Sequence, residues 1–240
     1  CKAAGVQYVE MPVAFDALTV VINPKNSFLK QATVEELKKM WEPAAQGQIT
    51  KWNQVNPAWP DAPLKLFGAG ADSGTFEYFT EAIVGKAKSS RGDYTASEDD
   101  NVLVQGVSRD VNAIGYFGYA YYAENMARLK GLPIVNPKTG KAVEPSGANV
   151  ENGTYVPLSR PIFVYVKLKS LDKPAVRDFL EFYMKNAEQL IREVKYVPLP
   201  KAAYEGNIRH ARDKKIGTVF GGKNEVGITV EEIMKREAKM

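Results

Sequence analysis

Histidine and cysteine are almost absent: the 240 residues contain one of each. That scarcity excludes a Cys/His metal cluster, whose ligands come in threes and fours. It also leaves no obvious Ser-His-Asp arrangement, because His210 sits in a charged stretch read as surface. A carboxylate-only metal site has no ordered loop motif behind it. Long apolar runs are missing, so no membrane-spanning helix is read. An excess of one charge is missing too. Lys plus Arg is 32 against 28 Asp plus Glu, a formal +4. The two signs are mixed along the chain, unlike the concentrated basic face of a nucleic-acid binder. No internal repeat or long disordered linker is visible. What remains, 45% hydrophobic and 25% charged residues, is the composition of a folded chain with a real core.

The single cysteine is Cys1. Cys1-Lys2-Ala3-Ala4 before Gly5 reads as the last turn of a helix stopping at glycine. A lipid-modified terminal cysteine and an arbitrary chain boundary are the rival readings, and all three stay open. Val6–Pro12 reads as a short strand. Ala17–Asn23 is a nearly continuous β-branched run, which predicts a strand buried on both faces of a parallel sheet. Thr33 and Glu36 have capping-box spacing ahead of a helix with Leu37, Met40 and Trp41 on one stripe. Ile49–Trp52 reads as a short strand or turn, and Leu64–Phe67 as a strand. A helix begins near Gly74 and runs to Val84, and Gly85–Asp100 reads as loop. Asn101–Gly106 predicts a short helix, Ala113–Tyr119 a strand, Ala120–Lys130 a helix and Leu132–Val135 a strand. Pro161–Val166 is a second β-branched run. Lys173–Ile191 is a helix with Val176, Phe179, Leu180, Tyr183, Met184, Ala187 and Leu190 on its stripe. Further helices are read over Ala202–Lys215 and from Thr229. Strands alternate with helices, so the fold class is α/β.

One segment looks built for a ligand. Gly68-Ala69-Gly70-Ala71-Asp72-Ser73-Gly74-Thr75-Phe76 joins a strand to a helix. Small residues let a backbone come close to a ligand, and Ser73 and Thr75 offer hydroxyl donors. Unpaired amides of Gly74, Thr75 and Phe76 at the helix start, with its dipole, would suit an oxyanion. The same residues also read as an ordinary N-cap, with Asp72 or Ser73 capping. The segment lacks the Gly-Lys-Ser/Thr ending of a P-loop. In a later loop, Arg91 stands among small residues beside Asp93, which could hold its guanidinium. Arg91 reads either as a fork for a tetrahedral anion or as a solvent-facing charge. Ser97–Asn101 is read as a helix cap. The aromatic group Tyr116, Phe117, Tyr119, Tyr121 and Tyr122 is read as packing.

These residues resemble the periplasmic phosphate-binding protein family, the PstS/SphX-type receptors of phosphate ABC transporters. The resemblance rests on Glu10-Met11-Pro12-Val13-Ala14-Phe15-Asp16, on Asp72–Phe79 and on Ser90–Asn101, with support from Gly115–Tyr122 and Pro157–Pro161. It spans practically the whole chain. It implies a type II periplasmic-binding-protein-like fold, two α/β lobes with a hinge and a central cleft. Residues 1–14 and 156–240 would form lobe I, and residues 15–155 lobe II, with hinge crossings near Met11–Asp16 and Tyr155–Pro161. It implies inorganic phosphate as ligand, held by Ser73, Gly74, Thr75 and Arg91, with Asp72, Phe76 and Asp93 in support. Some relatives carry the arginine just before Ser-Gly-Thr, where this chain has Ala69.

The resemblance further implies delivery to the membrane permease of a phosphate ABC importer, in the periplasm or at the extracytoplasmic surface. No cofactor, metal or nucleic acid is expected. About 70 to 90 residues of the family pattern have no counterpart here. They include an acidic residue that accepts a proton from the ligand, so lobe I is expected to be incomplete and to expose apolar surface. Cys1 matches a cysteine that pairs within that part in relatives. An enzyme using Ser73 or Thr75 as nucleophile would need a general base or metal, and the expectation is no enzyme. The alternative is an interaction or adhesion protein, with the aromatic and proline-rich stretch Trp41–Pro63 as its contact surface.

Overall fold

A computed structural model describes residues 2–220, 225–237 and 239. Cys1 and the readings attached to it lie outside the described residues. Lys2–Ala4 form a single 3-10 turn before Gly5, whose φ of 61° favours glycine. The chain divides into two compact units. Unit 1 is Cys1–Asp16, Glu151–Gly153 and Arg160–Met240; unit 2 is Ala17–Val150 and Thr154–Ser159.

The two strands read near the start are one strand, β1 (Tyr8–Ile22), buried along all but its first residue. Pro12 interrupts the sequence pattern but not the strand. Its carbonyl accepts from Asn207 Nδ2 at 2.7 Å, which holds the strand there from α8. The chain enters unit 2 between Asp16 and Ala17 of β1.

Unit 2 continues through α1 (Val34–Trp41), α2 (Trp52–Val55), β2 (Lys65–Ala69) and α3 (Gly74–Phe79). After α3 the helix widens into a π turn over Thr80–Val84. Then come β3 (Thr95–Ser97), α4 (Asp100–Arg109), β4 (Ala113–Gly118), α5 (Tyr119–Glu124) and β5 (Lys130–Gly131). A small hairpin, β6 (Ile134–Val135) with β7 (Ala142–Val143), and α6 (Gly147–Glu151) follow. The sheet order is β3-β2-β4-β1-β5. β2 is parallel to β3 and β4, whereas β1 is antiparallel to β4 and β5. The Ala17–Asn23 run is thus buried as predicted, but in the antiparallel part of a mixed sheet. Burial on both faces follows from helices on both sides, whatever the strand direction.

Neighbouring residues of β4 show those two sides. Phe117 joins Val21 and the α4 residues Leu103, Val104 and Val107 in one core cluster. Tyr116 points the other way, stacking on Phe79 with centroids 3.6 Å apart and meeting Trp41 edge-on at 4.9 Å. The capping box of α1 is present: Glu36 N–H donates to Thr33 Oγ1 at 3.1 Å, and Thr33 N–H to Glu36 Oε2 at 2.8 Å. Two readings are refined. Of the strand or turn read over Ile49–Trp52, the structure has a single antiparallel bridge, Lys51 with Pro63, before Gln54 Oε1 accepts from the amides of Thr50 and Lys51 and starts α2. The helix read over Ala120–Lys130 stops at Glu124, because Asn125 donates its side-chain amide to Tyr121 O and its carbonyl starts a turn. The aromatic stretch from Trp41 offers little contact surface, since Trp41 and Trp52 are buried.

In unit 1 the first part of β1 pairs with β8 (Ser159–Lys167) and with β9 (Val197–Pro198). Helices α7 (Pro174–Glu193), α8 (Lys201–Arg212) and α9 (Val230–Glu237) complete it. α7 buries Leu180, Met184, Ala187 and Ile191. The buried Asp16 carboxylate receives Arg160 Nε and Nη2 at 3.1 and 3.0 Å. Tyr204 donates its hydroxyl to Val13 O at 3.0 Å. Among the described residues no helix is long and apolar enough to cross a membrane, and no group of His, Cys, Asp or Glu could hold a metal ion.

Candidate functional site

The candidate site lies where β2 hands over to α3. Ser73 is the N-cap: it is extended (φ −80°, ψ 135°), and its Oγ accepts from Thr75 N–H at 3.0 Å. The amide of Ser73 closes a tight turn onto Gly70 O at 3.1 Å, and Glu77 N–H returns to Ser73 O at 3.2 Å. The expected unpaired amide of Thr75 is therefore already capped. What the segment presents are two hydroxyl hydrogens, those of Ser73 and Thr75, with no acceptor among the described residues. Both residues are half-buried, Gly74 between them is exposed, and Phe76 is buried against the interior. Asp72 is exposed.

Gly68 and Gly70 serve packing rather than an approaching ligand. The space that a Gly68 side chain would need is filled by the Tyr116 ring, and that of Gly70 by the Glu98 carboxylate. Glu98 Oε1 also accepts from Asp72 N–H at 3.3 Å. Tyr94 donates its hydroxyl to Ala69 O at 2.9 Å, holding the end of β2 from below. The sequence reading missed both residues. Ser97–Asn101 reads as a helix cap within the Ser90–Asn101 block, and Asp99 does cap α4, accepting from Asn101 N–H at 2.9 Å. Glu98 beside it faces the loop. Burial, with the Asp99 and Glu98 charges nearby, raises the Asp100 carboxyl to about 6.

Arg91 is not the free fork that the sequence expectation made it. The residue is 4% exposed. Nη1 donates to Met40 O at 3.1 Å and Ile49 O at 2.8 Å; Nη2 donates to Asp93 Oδ2 at 2.8 Å, and Nε to Asp93 Oδ1. Four of its five N–H directions are spent on these partners. Asp93 holds the guanidinium as expected. That pairing drops its carboxyl to about 2, and its Oδ2 also accepts from Gly47 N–H at 3.0 Å. Arg91 therefore ties the loop after the π turn to the end of α1. The structure brings Ser73, Gly74 and Thr75 together at one helix start, and gives Arg91 and Asp93 a separate bracing task.

The loop is tied down from its far side as well. Tyr78, one turn into α3, has its hydroxyl 2.7 Å from both Pro157 O and Ser159 O. The turn bearing Ser73 thus rests on fixed backbone, the condition for donors to be in place before a ligand arrives.

Comparison with known proteins gives consistent results. A family profile described as a PBP superfamily domain matches residues 1–187. The SphX protein of Synechocystis is 50% identical over 239 residues, covering 99% of this chain and 70% of that protein. The phosphate-binding protein PstS of Staphylococcus haemolyticus is 35% identical over 215 residues, 88% of this chain and 65% of that one. A crystal structure from Planctomyces limnophilus, titled "a possible phosphate binding protein", superposes with a TM-score of 0.79 at 50% identity. It covers 90% of this chain and 75% of that one. An ABC-type phosphate transport receptor from Vibrio cholerae shares the fold, at a TM-score of 0.64 and 22% identity over 80% of this chain and 73% of that one.

Proposed function

We propose, from the premise that the chain belongs to the PBP superfamily and within it to the SphX and PstS proteins, that it binds inorganic phosphate. It passes the anion to the permease of a phosphate ABC importer outside the cytoplasmic membrane, and it is not an enzyme. The observation that carries this is the Ser73-Gly74-Thr75 turn, with two hydroxyl donors held on a braced helix start in a chain 50% identical to SphX. In this reading Ser73 and Thr75 donate to phosphate oxygens, Gly74 keeps the approach open, and the helix dipole adds favourable potential. Arg91 and Asp93 support the site from a neighbouring loop that they brace against α1, Phe76 anchors the first turn of α3 in the interior, and Asp72 joins the loop through its backbone N–H to Glu98. No proton moves and no bond breaks; affinity comes from preorganised donors.

Calorimetric titration with phosphate and with sulfate tests it. The expected result is one-to-one phosphate binding, at least tenfold weaker for sulfate and at least tenfold weakened by Ser73→Ala in a folded variant. A folded protein that takes up neither anion, or binds phosphate equally well without the Ser73 hydroxyl, refutes it.

A further inference from the structure

The turn that presents Ser73 is held from a second loop. β3 runs parallel to β2 with Ala69 opposite Ser97. Gly70 N–H donates to Ser97 O at 3.1 Å, so the residue after Ser97 emerges over the turn. That residue is Glu98. Its backbone is fixed on the far side too, because Asp99 N–H donates to Ser97 Oγ at 3.0 Å and Asp99 caps α4. Glu98 is thus aimed from both ends. Its Oε1 accepts from Asp72 N–H at 3.3 Å, in the middle of the turn that Ser73 N–H closes onto Gly70 O.

Gly70 makes room for this carboxylate. A Cβ at position 70 would lie 2.0 Å from Glu98 Oε1 and 2.7 Å from its Cδ, closer than side chains come. The Gly70 backbone is not left-handed, so its conformation does not call for glycine; the space taken by Glu98 does. Glu98 is exposed, so a side chain at position 70 would push it into solvent and leave the fold standing. Electrostatics alone argues against Glu98. A carboxylate beside donors meant for an anion repels that anion, and only solvent screening softens the effect. Its hydrogen bond to the turn supplies the compensating role.

We propose that Glu98 is a positioning residue for phosphate: seated on Gly70, its carboxylate fixes the Gly70–Ser73 turn and with it the direction of the Ser73 hydroxyl. The inference rests on the phosphate reading above. Glu98→Ala, Glu98→Gln, Gly70→Ala and the double variant Gly70→Ala/Glu98→Ala test it, by calorimetric titration with phosphate and by amide exchange of Asp72 and Ser73 in the free protein. Glu98→Ala should weaken phosphate roughly fivefold and speed exchange at Asp72. The urea midpoint should stay nearly unchanged, because the lost bond is exposed. Gly70→Ala should do the same by displacing the carboxylate, and the double variant should be no worse than either single one. Glu98→Gln keeps an oxygen acceptor and should retain both the protection and the affinity. If Glu98 acted through its charge alone, the alanine and glutamine variants would both bind phosphate more tightly, and that result overturns the proposal. So do additive losses in the double variant, or exchange at Asp72 unmoved by Glu98→Ala. A folded wild-type chain that takes up no phosphate refutes the phosphate reading instead. The exchange rates and the coupling between positions 70 and 98, read in the free protein, then decide whether Glu98 fixes the turn.

Discussion

Replacing Arg91 with methionine separates a bracing arginine from an anion-binding one. The substitution keeps much of the side-chain volume and removes every donor. Met40 O, in a buried bond, and Ile49 O, in a partly buried one, then lose the Arg91 donor. Stripping a buried carbonyl costs about 1–3 kcal/mol, so the two together dominate the loss. The ion pair adds on the order of 1 kcal/mol or less, because Asp93 is 35% exposed and solvent screens it. We expect about 3–5 kcal/mol of lost stability, a large share of the ~5–15 kcal/mol typical of a folded domain. Urea unfolding at pH 7, followed by circular dichroism, measures it. Acid supplies a second signature. Asp93 sits at about 2 in the folded chain against an ordinary 3.8. Its contribution is therefore complete above the ordinary value and fades as pH falls towards 2. The gap between wild type and variant should narrow between pH 4 and pH 2. A variant that loses less than about 1 kcal/mol yet no longer binds phosphate would refute the bracing argument and return Arg91 to the ligand.

Two further outcomes are expected. Tyr78→Phe removes the hydroxyl that faces Pro157 O and Ser159 O, and should cost about 1–2 kcal/mol in chemical denaturation while weakening phosphate uptake. Glu237 of α9 is buried, and burial with the nearby Glu10 charge raises its carboxyl to about 7. A raised carboxyl binds its proton more tightly in the folded chain, so stability should fall as pH climbs from 4.5 to 7. Glu237→Gln should flatten that slope; a slope unchanged in the variant assigns the titration elsewhere.

Much of the fold was legible where one residue type decides one local geometry. Thr33 with Glu36 announced α1, and the Leu37, Met40, Trp41 stripe announced its buried face. Asp99 announced the start of α4 within a residue or two. Legibility failed where distant partners decide. Pro12 and Asp16 seemed to break a strand because nothing in the local sequence shows that Asn207 and Arg160 wait for them. The short β3 escaped notice because its Thr-Ala-Ser is neither apolar nor alternating; it is a strand because β2 lies alongside. At the candidate site, the start of α3 with Ser73 as its cap was readable from local chemistry. Arg91 was not, since the carbonyls that consume it lie 42 and 51 residues away. The role of Gly70 was hidden for the same reason: its partner Glu98 belongs to another loop.

The length of β1 has a consequence for synthesis. Phe15 pairs with Val197, and Leu18 with Gly118. A ribosome adding about 5–20 residues per second makes this strand roughly 10–40 s before its last partner exists. Until β4 is made, this largely apolar strand of 15 residues lacks every strand partner, and its first part waits longer still. Glu10 and Asp16, the two charges within it, would then be hydrated and would discourage pairing between nascent chains. Residues that the finished protein must satisfy with particular partners would thus keep the growing one from precipitating.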